Sequence, residues 1–275
     1  MTTRFPSIGV DVRTQDELRD LMATILGAAE PVQVDRERCD HVWTCPSAAR
    51  VVVQARGGLI AGVLTGLAGS APTVACTDVR LLDDRVATLN LLDETEGNLL
   101  CSVAAQLEDH SLLRLAGGLL ARGQVVLSVL ADRITAYPDL RSYQQETGAR
   151  LDRGHLLSQE LRRPPAAPGD WAPTAEVDFT ATVRRAELRV NSLTGTAFHW
   201  LRLSVRPALE LDLAAGTAEL AAPPAPGSVV TGRGLLTGRL NLRPGDLPRQ
   251  PGPARALLRR VRHRITARLP HRPDG

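Results

Sequence analysis

Two pairs of segments lying about a hundred residues apart share one pattern, and this repeat constrains the fold more than any other feature. Residues 74–93 (VACTDVRLLDDRVATLNLLD) alternate as a long strand, a turn and a second strand, and so do residues 179–205. Residues 122–131 and 226–240 then share the pattern G-x-V-V, as valine-rich strands do. The pattern predicts two related antiparallel β units.

The spacing between matching residues is constant across the repeat. Val79 and Val183 are 104 residues apart, as are Gly123 and Gly227, which favours duplication over a chance alignment of valine-rich strands. In the first copy, residues 108–121 (EDHSLLRLAGGLLA) have a helical pattern between the third and fourth strands. This position resembles that of the helix in an OB-fold barrel. We therefore expect one or two small OB-like barrels.

The N-terminal residues 1–66 have the pattern of a β-α-β-β-β module. Thr14 and Glu17 form a capping box, and Gly27 ends the helix. Its apolar stripe follows the helical period and consists of Leu18, Leu21, Met22, Ile25 and Leu26. The expected strands are residues 8–12 (IGVDV), 31–34, 40–44 and 50–56 (RVVVQAR).

This order resembles one half-module of the vicinal oxygen chelate (glyoxalase-like) proteins, over residues 1–66 only. In that family a metal-binding His or Glu stands in the first strand and a Glu in the last. IGVDV and RVVVQAR carry neither residue. The resemblance therefore implies the module without its metal chemistry.

The resulting fold class is α+β: the N-terminal module, one or two OB-like barrels and a basic C-terminal amphipathic helix. The predicted boundaries are a module at 1–66, a barrel with a helix at 67–161, a linker at 162–175, a second β unit at 176–242 and a Pro/Gly hinge with the tail at 243–275.

Composition excludes two classes of enzyme. All 33 basic side chains are arginine, which is typical of a GC-rich genome. Without lysine, neither a Schiff-base enzyme nor the lysine of a phosphate-binding P-loop is possible. Aromatic residues make up 3% of the chain, so its cores must consist of Leu, Val, Ile and Ala.

Cys39, His41 and Cys45 are the one Cys/His cluster in the sequence. Alternate strand residues share a face, so Cys39 and His41 are close enough for a metal, but no further pair completes a four-ligand site. We favour packing of these residues and Trp43 on the first helix, and predict no metal or cofactor. Cys39 and His41 are also the candidate polar groups of a pocket between the module and the barrel.

Phe198 and Trp200 share one face of a strand, where they are candidates for stacking bases or sugars or, alternatively, for the core. The glycines of residues 232–238 (GRGLLTG) favour a curved strand over a phosphate loop, since no helix follows. Residues 93–98 (DETEGN) are typical of an exposed turn. Asp109 and the adjacent His110 would supply only one half of a catalytic acid–base site, and the sequence identifies no catalytic residue.

The C-terminal tail concentrates positive charge. Residues 249–275 hold eight Arg and one Asp, so the chain's formal charge of +3 leaves −4 on residues 1–248. The apolar residues of 254–269 fall on one side of a helical wheel, and the tail's candidate binding residues lie mostly outside it: Arg255, Arg259, Arg260, Arg262, Arg264 and Arg268. Docking on the chain's own acidic body, or a solvated tail that folds only on contact, is favoured over binding of an acidic partner or nucleic acid. A membrane surface is favoured least, because the apolar face lacks aromatic residues.

The sequence therefore predicts a non-enzymatic binding or interaction protein that engages a protein or an anionic partner through OB-like sheets and the tail. The alternatives are a small-molecule-binding protein or enzyme with a pocket between module and barrel, and an oligomer formed by pairing of sheet edges. No signal peptide or membrane span is expected, since the apolar run at 57–72 is too short, and the location expected is the cytoplasm, with reduced cysteines.

Overall fold

The computed structural model describes residues 4–69, 71–149, 154–163 and 172–242, and the tail predicted at 243–275 lies outside them. A 3₁₀ turn (Pro6–Ile8) precedes helix α1 (Gln15–Ala28). The Oγ1 of Thr14 accepts from the backbone N of Glu17, and the Glu17 carboxylate accepts from the backbone N of Thr14. The predicted capping box is therefore confirmed.

A four-stranded antiparallel sheet follows α1, with its strands paired in chain order. These strands are β1 (Glu30–Gln33), β2 (Arg38–Thr44), β3 (Ala49–Arg56) and β4 (Leu59–Leu67). We call this four-stranded sheet the first sheet. The apolar run at 57–72 thus contains β4, a strand that was not predicted from the sequence.

The strand predicted at residues 8–12 is wrong. Gly9 has the left-handed φ of 73°, and the backbone N of Val10 donates to the carbonyl of Phe5 at 3.0 Å, so the chain turns there instead of extending. The module is therefore one helix followed by four strands. It lacks the first strand on which the resemblance to the vicinal oxygen chelate half-module depended.

The other nine strands form one continuous sheet. Before residue 150 it contains β5 (Val74–Leu81), β6 (Val86–Leu92), β7 (Leu99–Leu107) and the long β8 (Leu119–Tyr137), with helix α2 (His110–Leu115) between β7 and β8. Helix α3 (Leu140–Thr147), β9 (His155–Ser158) and helix α4 (Gln159–Arg162) follow. The last strands are β10 (Glu176–Val190), β11 (Ala197–Arg206), β12 (Leu209–Gly216) and β13 (Val229–Arg239).

The strand pairings close two five-stranded circuits. The first circuit runs β5–β6–β7–β13–β8 and returns to β5, with β7 and β13 parallel. The second circuit runs β10–β11–β12–β8–β13 and returns to β10, with β12 and β8 parallel. Strands β8 and β13 belong to both circuits, so each circuit is completed by a strand from the other half of the chain.

The strands of the predicted repeat occupy matching places in the two circuits: β5 corresponds to β10, and β8 corresponds to β13. The registers differ, however. Gly123 is opposite Cys76 in the first circuit, whereas the backbone N of Gly227 donates to the carbonyl of Val183 in the second. Residues 104 apart therefore lie on corresponding strands. Two residues that pair in the first circuit, however, are not both matched, at this spacing, by two residues that pair in the second.

The glycine-rich segment 232–238 lies within β13, as a curved strand rather than a phosphate loop. A Cβ on Gly234 would lie 2.4 Å from the carbonyl oxygen of Leu130, and the register shifts between Arg233 and Gly234. The glycines thus allow β13 to lie close against β8. Residues 93–98 form the exposed turn between β6 and β7, as expected.

Two apolar cores hold these layers together. One fills the two circuits continuously and includes Leu89, Leu127 and Leu203. The other joins α1 and one face of the first sheet to the outside of the circuits, through Ile25, Trp43 and other buried side chains. The opposite face of the first sheet is turned toward α2, and the candidate site lies there.

Candidate functional site

A cavity of about 690 Å³ separates the first sheet from the first circuit. Its sheet side consists of alternate residues of three neighbouring strands: Glu30, Val32, Asp40, Val42, Arg50 and Val52. Its other side comes from the end of β7, from α2 and from the chain at and after the end of β13: Glu108, Asp109, Leu112, Arg239, Asn241 and Leu242. A volume of this size is typical of small-molecule sites.

The strand register explains why the sheet side is partly apolar and partly charged. Val42 is opposite Val52 across β2 and β3, and Asp40 is opposite Gln54 on the same face. Because side chains alternate along a strand, the residues between them point away from the cavity. Apolar and polar groups therefore form adjacent rows on one face.

An ion pair closes one end of the cavity. The Nε of Arg50 donates to the Oε2 of Glu108 at 2.7 Å, and its Nη1 donates to the Oγ1 of Thr44 at 2.9 Å. Burial raises the pKa of the Glu108 carboxyl, while the Arg50 guanidinium acts in the opposite direction. A Cβ on Gly66 would lie 2.6 Å from the Oε1 of Glu108, so a larger residue there would displace the Glu108 carboxylate from its position beside Arg50.

Asp109 fixes the wall that follows β13. Its Oδ1 accepts from the backbone N of Leu240 and its Oδ2 from the backbone N of Leu242, each at 3.2 Å. Between them, Asn241 has a φ of 55°. Burial raises the pKa of Asp109 although both backbone hydrogen bonds lower it. The carboxyl is thus engaged in holding the chain.

A smaller cavity of about 150 Å³ adjoins the first and shares Asp40 with it. Burial raises the pKa of Asp40 to about 6, although hydrogen bonds from Ser111 and Gln54 act to lower it. Asp40 is 6% exposed. It is therefore a buried carboxyl that ionises near neutral pH at the boundary of two cavities, which is a common property of ligand sites.

His110 connects this network to the backbone. Its Nδ1 lies 2.8 Å from the carbonyl oxygen of Leu107, so Nδ1 carries the proton and Nε2 accepts from the Nε2 of Gln54 at 3.0 Å. Burial lowers the pKa of His110 to about 4, so the imidazole is neutral at pH 7. The Nε2 of Gln54 also lies 3.1 Å from the Oγ of Ser111.

Arg239, at the end of β13, lines the large cavity. Its Nε is buried, and the structure gives it no hydrogen-bond partner. Glu108 and Asp109 are close enough for the Arg239 charge to lower the pKa of both carboxyls. Arg239 therefore places a positive charge in the cavity wall, and its Nε donor has no acceptor.

Cys39 and His41, the predicted polar groups of a pocket, do not line this cavity. Both residues share the face of β2 that carries Trp43, but only Trp43 belongs to the buried core with α1, while Cys39 and His41 are half-buried. Their alternation with Asp40 and Val42 directs them away from the cavity. Within the described residues, no group of three or more His, Cys, Asp and Glu is placed to hold a metal.

Phe198 and Trp200 occupy core positions. They are 0% and 2% exposed, so neither presents an open ring face to solvent. The guanidinium carbon of Arg189 lies 3.8 Å from the centre of the Trp200 ring and covers it. The tail residues Arg255, Arg259, Arg260, Arg262, Arg264 and Arg268 lie outside the described residues.

Sequence reasoning missed Arg50, Gln54 and Arg239 as site residues. The available signal was the strand RVVVQAR, in which Arg50, Val52 and Gln54 alternate with buried valines and so form a second, polar face. Nothing in the sequence indicated that Arg239 would line the same cavity as this face, because β13 and β3 are far apart in the chain.

No family model, no curated protein and no solved structure matches this chain. A function for the site therefore rests on its geometry. In the part of the chain that the structure describes, none of the helices has the length and apolar character needed to cross a bilayer.

Proposed function

We propose that this chain is a non-enzymatic binding protein that holds a small organic molecule between the first sheet and the first circuit. The observation that carries the proposal is the cavity of about 690 Å³, whose lining combines five valine and leucine side chains with six charged side chains and Asn241. Its volume is in the range of small-molecule sites, in which apolar side chains supply affinity and polar groups fix orientation.

The bonding of the titratable groups favours binding over catalysis. Glu108 pairs with Arg50, Asp109 holds two backbone amides, and His110 is neutral with both ring nitrogens engaged. A general acid or base must be free to exchange a proton with the substrate. These groups instead hold the walls in place.

We also propose that the two circuits are OB-like barrels that exchange their closing strands. In support, each circuit closes with five strands, and α2 lies between the third and fourth strands of the first circuit. The described residues between β12 and β13 contain no helix. Under this proposal the predicted units at 67–161 and 176–242 are two barrels that share β8 and β13.

A fragment-binding experiment tests the cavity as a ligand site. A mixed panel of fragments, with acids, amides and amines of matched carbon skeleton, is screened by ligand-observed NMR against the full chain. Val42→Trp places a bulky side chain in the cavity, and Val190→Trp is the matched control, since Val190 is 54% exposed on β10. We expect fragments to bind the parent and the control but not Val42→Trp. Equal binding to all three proteins would exclude the cavity.

A second candidate function is the engagement of an anionic partner by the tail, for which the charge of +7 on residues 249–275 is the supporting observation. Binding of this kind weakens steeply with salt, because arginines release counterions from nucleic acid. A variant ending at residue 242 should lose salt-dependent binding of labelled nucleic acid or of an acidic protein. Unchanged binding by the shortened variant would contradict this role.

A further inference from the structure

Among the described residues that line the large cavity, one buried side-chain donor has no hydrogen-bond partner. The three buried carboxyls of its wall already have partners: Glu108 has Arg50, Asp109 has the amides of Leu240 and Leu242, and Asp40 has Ser111 and Gln54. The Nε of Arg239 is buried without an acceptor in the described part of the chain. The unmet hydrogen bond of this wall is therefore a donor, so its natural partner is an acceptor.

Burying a guanidinium donor without an acceptor costs free energy, and this cost is larger for a charged group than for a neutral one. Folded proteins leave few such groups, and those that remain call for an explanation. Arg239 is the last residue of β13, and the core residues Leu236 and Leu240 lie on either side of it in the chain. An oxygen acceptor that enters the cavity would supply what the protein itself does not.

The geometry of the guanidinium narrows the kind of acceptor. Its planar fork of donors matches two oxygens on one atom, as in a carboxylate, better than a single carbonyl. The wall also offers Val32, Val42, Val52 and Leu112 to an apolar body.

We propose that the ligand of this cavity is a small organic acid, whose carboxylate binds Arg239 and whose apolar body lies against the valines of the first sheet. This inference rests on the proposed function and specifies its ligand class. Of the two arginines in the lining, Arg50 is paired with Glu108, so Arg239 is the guanidinium that an incoming carboxylate would meet, beside Asp109.

The test compares molecules of one shape and different charge, by calorimetry on the full chain. Benzoate, benzamide and benzylamine share a ring, and hexanoate and hexanamide share an alkyl chain. We expect the two acids to bind and the amides and the amine to bind at least roughly tenfold more weakly, because only the acids give the guanidinium a charged pair of acceptors.

Two variants assign the effect to Arg239. Arg239→Gln should weaken acid binding by roughly tenfold or more, and Arg239→Lys should recover part of it, since lysine keeps the charge without the fork. Arg122→Gln is the matched control, because Arg122 is exposed on β8 and lies outside the cavity lining. Circular dichroism and thermal unfolding show whether each variant keeps its fold.

The outcomes separate this inference from the function on which it rests. If amides or amines bind as tightly as the acids, or if Arg239→Gln binds acids like the parent, the ligand class is wrong. Loss of that binding in Val42→Trp would then still support the cavity as a site. If no probe binds and the fragment panel finds nothing that Val42→Trp abolishes, both proposals fail.

Discussion

The hydroxyls of Ser128 and Thr237 lie 2.7 Å apart at the pairing of β8 with β13. Ser128 is also in register with Asp212 of β12, and Thr237 with Gln106 of β7. These are the parallel pairings that close the second and the first circuit. One buried hydroxyl pair therefore lies at the point where both circuits are completed.

Thr237→Val should destabilise the protein by roughly 1–3 kcal/mol, because it removes the partner of a buried hydroxyl without changing the shape of the side chain. The double variant Ser128→Ala with Thr237→Val should recover part of this loss, since no hydroxyl is then left unpaired. Denaturant unfolding measures the free energies. Thr24→Val, on the exposed side of α1, is the control and should change stability little. A double variant less stable than Thr237→Val would contradict the pairing.

Gly234→Ala should destabilise both circuits together. The added Cβ would lie 2.4 Å from the carbonyl oxygen of Leu130, which must move, at a cost of about 2 kcal/mol or more. Because β8 and β13 serve both circuits, we expect calorimetry to show one transition shifted as a whole. Gly27→Ala in α1 is the control: a Cβ there meets nothing within 4 Å, so the change should stabilise the helix. Two separate transitions would show that the circuits unfold independently.

Asp40→Asn should stabilise the protein at pH 8 and have little effect near pH 4. The pKa of Asp40 rises from its ordinary 3.8 to about 6 in the folded state, so its contribution to stability is full below pH 3.8 and is lost as the pH rises toward 6. The loss is on the order of 2–3 kcal/mol. Asparagine carries no charge, so the variant avoids this loss of stability. Denaturant unfolding of both proteins across this range gives the difference.

The groups facing Asp40 do not reverse this sign. Arg38 lies on its own strand, Gln54 on β3, and Ser111 and Asp109 at α2. The lowered pKa of His110, about 4, acts in the opposite direction, since stability is lost as pH falls from 6.5. That effect is common to both proteins and cancels in the comparison. A difference that is constant with pH would mean that Asp40 has an ordinary pKa.

Asp109→Ala should release the wall that follows β13. The amides of Leu240 and Leu242 lose their acceptors, so both should exchange faster with deuterium, and stability should fall by roughly 1–3 kcal/mol. Asp139→Ala is the matched control, because Asp139 accepts from the backbone N of Ser142 at the start of α3, away from the cavity. Unchanged exchange at residues 240 and 242 would show that another group holds this segment.

Local patterns predicted the elements that depend on local interactions. The capping box of Thr14 and Glu17 and the stripe that follows it placed α1, and the alternation of RVVVQAR placed β3. Residues 8–12 have the same alternation, but the left-handed Gly9 and the turn at Pro6 override it. Alternation alone does not distinguish an extended strand from a turn, and in this turn the consecutive residues 7–10 are all buried.

The site depends on contacts that no local pattern encodes. Asp40 and Arg239 line one cavity although they are far apart in the chain, and their meeting follows from the packing of the first sheet on the first circuit. The repeat indicated two β units, but not that β8 and β13 would each complete the other unit. Such pairings are selected by the packing of the whole chain rather than by neighbouring residues.

The sharing of β13 also sets an order of events during synthesis. The ribosome releases β5 to β8 first, yet the strand that closes their circuit begins at Val229. Until that segment emerges, β7 and β8 each present an unpaired edge, which is prone to pairing with other chains. Closure joins residues of high sequence separation, so it is intrinsically slow. This chain should therefore depend on protection of its nascent strands more than a protein whose barrels close one after the other.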